Sequence, residues 1–270
     1  MNYLMEPEED TQKSLIQDFS LPVLGILTSS AIGDPTGIAA AVIPIIVKEV
    51  LRQVINPLTT RGESKRLYRW GKQAAEGIVK RSNDGEEFRS DGFFEETPTN
   101  RSNFEEVIES TLKKVMDTTE EPKVKFMASL TENIHFHEDL DMDTYRQILK
   151  DLDQLTYRQL CIIRLAILYE NREVIGHIDD EKWEEQIPQN ERARFHSISR
   201  DFDEMMVDES YLDGVRCGKT EDGEPCMLRP SLTHSTYQAK RLYSFANLCE
   251  IPIEDIVEMF SLWNVRPKSL

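Results

Sequence analysis

The sequence is poor in the residues from which metal centres, disulfide frameworks and nucleophilic sites are usually built. Its 270 residues include five histidines and four cysteines, none of them in the CxxC spacing of a structural zinc site. Because the cysteines are widely spaced and no secretory pattern opens the chain, we expect reduced thiols in a cytoplasmic protein. We expect no catalytic residue, no metal and no cofactor. The cysteines are Cys161, Cys217, Cys226 and Cys249.

Two short motifs resemble known ligand sites, and each lacks an essential part. The run HFHEDLDMD at 135–143 resembles the start of a calcium loop, but Thr144 and Lys150 stand where that loop needs glycine and glutamate. The tripeptide GKT at 218–220 resembles the end of a phosphate-binding loop, but Asp213 takes the place of its first glycine. Neither motif therefore predicts a site.

The chain also has no unbroken apolar run long enough to cross a bilayer. Residues 21–47 carry one charge, Asp34, and the Asp34-Pro35 pair divides them into pieces shorter than about 20 residues. Asp34 is a suitable N-cap, so a helix is predicted from there toward Ile55. We expect eight aliphatic residues of the stretch to contact either lipid or another subunit: Leu24, Ile26, Leu27, Ile32, Ile38, Val42, Ile43 and Ile46.

Positive charge is scarce, and it is concentrated in one segment. The formal net charge of −17 argues against nucleic acid as a partner, yet residues 48–81 hold nine basic and three acidic side chains. The spacing of Leu67, Trp70 and Ile78 predicts an amphipathic helix over 62–80, with the bases mostly on its other faces. We expect five bases to contact anionic lipid or an acidic partner: Arg61, Lys65, Arg66, Arg69 and Lys72.

Composition divides the chain into four parts. Residues 1–81 form an apolar and basic helical segment, and residues 82–99, rich in turn-forming residues, form a linker or long loop. Residues 100–154 are predicted to be a bundle of three helices. Residues 155–270 are predicted to pack on the apolar helix LTYRQLCIIRLAILY that begins this part. The predicted fold class is mainly α, with one small β-hairpin.

Helix starts in the third part are marked by capping residues. Ser102 and Glu105 match a capping box, in which each side chain bonds the backbone of the other residue. Pro122 suits the first turn of a second helix, and Asp143 is placed to cap a third. Short connections between the three helices favour antiparallel neighbours.

The element order of residues 155–270 resembles a winged-helix module. Helices are predicted over 198–215, 232–249 and 253–263, with a β-hairpin turn at 222–223 between the first two. Such modules bind DNA or protein. Here the run SISRDFDEMMVDESYLDGV carries one arginine and six acidic residues, which would repel DNA, so we expect protein binding.

The order of the whole chain resembles the abortive-infection alpha family of bacterial phage-defence proteins. The resemblance is carried by the Gly/Ala-rich apolar segment, the basic helix after it, and the runs KVKFMASLTENIHF and DTYRQILKDLDQLTYRQLCIIRL. It implies a defence role and supplies no functional residues.

We therefore expect a non-enzymatic phage-defence or stress protein that binds a protein partner and forms a homo-oligomer. Engagement of an anionic membrane surface, as a peripheral protein of the inner membrane, is the alternative use of the N-terminal segment. A regulatory adaptor built on the winged-helix-like part, binding protein or DNA, is a second reading of the function. An enzyme whose site is assembled from dispersed carboxylates and histidines is a third.

Overall fold

The computed structural model of the chain is mainly α-helical, so this part of the predicted fold class is confirmed. The chain divides into two compact units, Met1–Asp153 and Gln154–Leu270. Strands in the described residues form two short antiparallel pairs, both in the second unit. The structure describes residues 38–56, 58–96, 102–176, 187–207, 211–214 and 233–268.

The first unit is a helical bundle. Its described residues form α1 (Ile38–Ile55), α2 (Arg61–Asn83), α3 (Asn103–Asp117), α4 (Val124–Asn133) and α5 (Met142–Gln154). α2 packs against α1, α3 and α4, so it is the central helix of the unit. The helices predicted over 62–80 and toward Ile55 are confirmed as α2 and α1.

Capping residues set the starts of α3 and α5. The Glu105 backbone N–H donates to Ser102 Oγ at 3.2 Å, which confirms Ser102 as the cap of α3. The predicted cap of α5, Asp143, is wrong by two residues. The Thr144 backbone N–H donates to Asp141 Oδ1 at 2.7 Å, so Asp141 is the cap and Asp143 lies in the first turn.

A buried polar network joins the helices inside this apolar core. Trp70 on α2 is fully buried, and its Nε1 donates to Thr131 Oγ1 on α4 at 3.3 Å. The hydroxyl of Tyr145 on α5 lies 3.4 Å from the same Thr131 oxygen and also bonds Thr111 on α3. Because a buried polar group without a partner is costly, these bonds fix four helices in one register.

Residues 84–96 form a loop that is packed against the first unit. The ring of Phe88 stacks on that of Phe136, with centroids 4.7 Å apart. The buried Arg89 guanidinium donates to the carbonyls of Ile134 and Leu140, at 3.1 and 3.0 Å, and pairs with the Asp91 carboxylate. These bonds hold the loop on the residues that follow α4.

The second unit is organised around one helix that is buried on nearly every side. Its described residues form α6 (Tyr157–Glu170), β1 (Val174–Ile175), α7 (Arg192–Val207), β2 (Leu212–Gly214), β3 (Thr233–Ser235), α8 (Tyr237–Phe245), α9 (Ile253–Met259) and β4 (Arg266–Pro267). α6 packs against α7, α8 and α9, which confirms the predicted buried helix. β1 pairs with β4, and β2 pairs with β3.

Strands shorten two helices that the sequence predicts in this unit. The helix predicted over 198–215 ends at Val207 and is followed by β2. The start of the helix predicted over 232–249 is taken by β3, so α8 begins only at Tyr237. The hairpin turn predicted at 222–223 lies outside the described residues.

Residues 233–235, where the sequence predicts the start of a helix, form β3, and burial alternates along them. Thr233 and Ser235 are buried while His234 between them is exposed, which is the period-two pattern of a strand. Ser235 Oγ donates to the Glu170 carboxylate at 2.7 Å, and the Ser235 backbone N–H donates to the same oxygen. These bonds tie β3 to the end of α6.

Candidate interaction surface

The first residues of α2 are set by a capping box. The Thr60 backbone N–H donates to the Glu63 carboxylate at 2.6 Å, and the Glu63 backbone N–H donates to Thr60 Oγ1 at 3.3 Å. Hydrogen bonds from the Thr60 backbone N–H and the Thr60 side chain to the carboxylate hold the pKa of Glu63 below its ordinary value. Arg61 is therefore the first helical residue, which fixes where each later base points.

A row of basic side chains runs along the outer side of α2. Its members are spaced by three, four or eight residues, so they share one side of the helix. All are exposed except Lys72, which is partly exposed. Arg69 pairs with Glu121 at 2.6 Å, and Lys72 lies 3.9 Å from Glu76. We call this row the basic face: Arg61, Lys65, Arg69, Lys72 and Lys80.

Arg66, which the sequence groups with these bases, turns toward α3, and its Nη1 lies 3.6 Å from Glu121, the partner of Arg69. Arg66 Nε donates to the Val115 carbonyl at 3.1 Å and its Nη2 to the Met116 carbonyl at 2.6 Å. These carbonyls belong to the last turn of α3, where an α-helix leaves acceptors without an internal partner. Arg66 therefore joins α2 to α3, and the other four predicted bases remain on the basic face.

The apolar residues predicted to meet lipid or another subunit fall into two groups. Val42, Ile43 and Ile46 are buried in the core of the first unit, because α1 turns this side toward α2. Ile38 is the first residue of α1. No helix among the described residues is both long and apolar enough to span a membrane. The remaining four lie outside the described residues: Leu24, Ile26, Leu27 and Ile32.

A groove of about 510 Å³ lies between α1 and α3. Ile45 on α1 is a bulky aliphatic residue that keeps 39% of its surface exposed there. Arg52 Nε donates to the Glu49 carboxylate at 2.8 Å on the α1 side. Sequence reasoning missed this groove, because its residues come from segments more than 50 positions apart in the chain. Its lining consists of Ile45, Glu49, Arg52, Glu105, Ile108 and Glu109.

His135, one of the two histidines in HFHEDLDMD, sits in an aromatic cluster. The side chain is fully buried, its Nδ1 lies 2.6 Å from the Thr131 carbonyl, and the rings of Phe93, Phe94 and Phe104 surround it. Burial lowers its pKa to about 4. Within the described ranges, no group of three or more His, Cys, Asp or Glu side chains could hold a metal ion. The geometry thus fits a neutral core histidine.

Comparisons with other proteins add no family to this description. Family models, curated proteins and solved structures were compared with the chain, and none of them matched. Function is therefore inferred from the charge, exposure and shape of the basic face and the groove.

Proposed function

We propose that this protein is a non-enzymatic phage-defence protein that binds an acidic protein partner through the basic face of α2. The observation that carries the proposal is the exposure of this face on a chain whose formal net charge is −17. Within the basic face, Glu76 and Glu121 are the acids that approach a member of the row. A basic row that is largely open to solvent is suited to an acidic surface on another molecule.

The basic face contributes little to the stability of the fold. The Arg69–Glu121 pair is exposed, with 57% and 44% of the two side chains accessible, and such pairs contribute about 0–1 kcal/mol. The bases that hold the first unit together include the inward Arg66 and Arg89, which donate to backbone carbonyls. Because the outward bases contribute little to the stability of the fold, we assign them a role in binding.

The defence role rests on the resemblance stated above. KVKFMASLTENIHF spans α4 and the turn after it, and DTYRQILKDLDQLTYRQLCIIRL spans most of α5 and α6. These helices contribute mainly core residues. The resemblance thus concerns the scaffold, while the charge of the basic face supplies the proposed means of action.

Among the described residues, the position of three apolar side chains of α1 favours a protein partner over lipid. Stable attachment to a membrane needs an apolar insertion in addition to basic side chains. Val42, Ile43 and Ile46 are buried in the core, so α1 does not offer them to a bilayer. Flotation of the full-length protein with vesicles of anionic phospholipid tests this choice. If the full-length protein floats, and high salt or charge reversal in the basic face prevents flotation, the basic face binds a membrane surface and the proposed protein partner is wrong.

Phage challenge of cells that carry charge-reversed variants tests the proposal. Lys65→Glu with Lys72→Glu should lower protection at least about 10-fold, since each reversal replaces an attraction with a repulsion. Lys150→Glu with Lys268→Glu is the matched control, because it changes the same charge at two exposed lysines outside α2. Full protection by the α2 variant, at equal amounts of folded protein, would contradict the proposal.

A second candidate function is a winged-helix-like adaptor in the second unit. It is supported by the antiparallel pair β2–β3, which follows α7 and precedes α8 along the chain. The exposed residues of α7 include Arg194 and Arg200 but also Asp203, so the helix is not a basic surface. A salt-sensitive mobility shift of a DNA duplex by the full-length protein would favour this adaptor over the defence proposal.

A further inference from the structure

The turn between α1 and α2 holds a leucine out in solvent. Leu58 is the most exposed large hydrophobic residue in the described part of the chain, with 87% of its surface accessible. The Leu58 backbone N–H donates to Asn56 Oδ1 at 3.0 Å, and Thr59 Oγ1 donates to the Gln53 carbonyl at 2.7 Å. The turn is thus tied to the end of α1, so Leu58 projects from a defined position.

This leucine stands directly before the basic face. Arg61 follows it by three residues in the first turn of α2, and Lys65 follows one turn later. Both are exposed. The tip of the α1–α2 hairpin therefore presents one apolar side chain beside two positive ones. We call this combination of Leu58, Arg61 and Lys65 the hairpin tip.

The groove between α1 and α3 has the complementary chemistry. Ile45 provides a partly exposed apolar surface within it. Glu105 and Glu109 line its α3 side one helical turn apart, and Glu49 lines its α1 side. Glu109 also accepts a hydrogen bond from Lys113 Nζ at 2.7 Å. Arg52 also lines the groove, but its guanidinium is bonded to Glu49. The groove therefore offers an apolar floor with more negative than positive charge around it.

We propose that the hairpin tip of one copy of this chain docks into the groove between α1 and α3 of a second copy. Leu58 would pack on Ile45, while Arg61 and Lys65 would approach Glu105 and Glu109. The inference rests on the proposed function and names its acidic partner as another copy of the chain. A copy is favoured because both complementary surfaces are present on one chain. The net charge of −17 opposes association between copies, so this contact has to offset that repulsion.

The two surfaces set the form of the assembly. Among the described residues, the groove is lined by α1 and α3 alone, and the hairpin tip belongs to the turn and to α2. Each copy therefore carries one hairpin tip and one groove, and the contact is head-to-tail. Such a contact closes into a ring or extends into a filament, because it does not pair the same patch on both copies.

Sedimentation velocity of the full-length protein, over a range of concentrations at low and high salt, tests the proposal. Wild type should form concentration-dependent assemblies, and the charge-removing variants should change the salt dependence of that association. A tip variant, Leu58→Ser with Lys65→Gln, and a groove variant, Glu105→Gln with Glu109→Gln, should each associate at least about 10-fold more weakly. The matched control is Tyr237→Ser with Lys150→Gln. It removes an apolar side chain that is 77% exposed and an exposed lysine, and it should associate like wild type.

An equimolar mixture of the two variants makes the test specific. The groove variant retains an intact tip and the tip variant retains an intact groove, so the mixture should form a two-chain species and nothing larger. Wild type that sediments as one chain at every concentration, or a mixture that does not associate, would overturn the proposal. If charge reversal on α2 still abolishes phage protection in that case, the proposed function stands with a different acidic partner. If self-association holds but protection does not depend on the basic face, the proposed function fails.

Discussion

The inner and outer sides of α2 use the same kinds of residue for different purposes. Arg66 and Lys65 are neighbours in sequence, but Arg66 donates to the last carbonyls of α3 while Lys65 is exposed. One helical position, about 100° of rotation, separates a cation that holds two helices together from one that faces solvent. Adjacent positive charges in a sequence therefore say little about function until the buried side of the helix is known.

The largest effect that separates the two sides is expected at Trp70. Its side chain is fully buried and its Nε1 bonds Thr131, so Trp70→Ala should lower the free energy of unfolding of the first unit by about 3–5 kcal/mol. Gln73→Ala, at an exposed position of the same helix, should change it by less than about 0.5 kcal/mol. Amide hydrogen exchange in α4 measures both. Equal effects at the two positions would show that α2 does not bury this side.

Acid should weaken the inner packing through His135. Its pKa is about 4 in the folded protein and about 6.5 in an unfolded chain, so the unfolded state binds more protons between these values. The free energy of unfolding therefore keeps its full value with respect to His135 above about pH 6.5, and it decreases as the pH falls toward 4. The loss amounts to about 3 kcal/mol.

His135→Phe is the control for this pH dependence, because it keeps a ring among Phe93, Phe94 and Phe104 without a titrating group. Hydrogen exchange in α4 across this pH range should show a smaller loss of stability in the variant than in wild type. An identical loss in both would mean that other groups cause the acid sensitivity.

A matched pair of methionine substitutions sharpens the comparison at neighbouring positions. Arg66→Met leaves the Val115 and Met116 carbonyls without their donors, and it should destabilise the first unit by about 1–3 kcal/mol. Lys65→Met should change stability by less than about 0.5 kcal/mol, yet it should weaken phage protection. Urea unfolding and phage challenge of both variants give the two measurements. The account fails if Lys65→Met is the more destabilising of the two.

The smallest expected effect concerns Glu121, which pairs with Arg69 on the basic face. Glu121→Gln should change the free energy of unfolding by less than about 1 kcal/mol, because Glu121 and Arg69 are both exposed and salt screens their attraction. The second cation near Glu121, Arg66, is 3.6 Å away and keeps its bonds to α3. Removing this acid leaves the basic face more positive, so salt-sensitive self-association should strengthen. Sedimentation of the variant beside wild type checks the direction of the change, and weaker association would contradict it.

Periodicity predicted the interior of this protein better than its ends and surfaces. Leu67, Trp70 and Ile78 recur at helical spacing and are all fully buried in α2, because one side of a long helix must face the core. Ser102 caps α3 as its pattern indicates. The cap of α5 was misplaced, since Asp141 and Asp143 are both suitable residues and local sequence does not decide between them.

The surfaces proposed to bind could be predicted only in part. The charge pattern identified the basic residues of α2 but not the inward turn of Arg66, which depends on where α3 ends. Val42, Ile43 and Ile46 are as apolar as residues that meet lipid, so composition could not show that α2 covers them. The groove lies where α1 and α3 come together, and no local sequence pattern in either helix predicts that contact.

The most direct test of the outer side of α2 as the binding surface is lysine footprinting by acetylation and mass spectrometry. The reactivity of Lys65 and Lys150 would be compared between cells that make the protein and the purified protein at low concentration. Both lysines are exposed in the single chain. The account predicts that Lys65 is protected in cells while Lys150 reacts equally in both settings. Equal reactivity of Lys65 in both settings would contradict it.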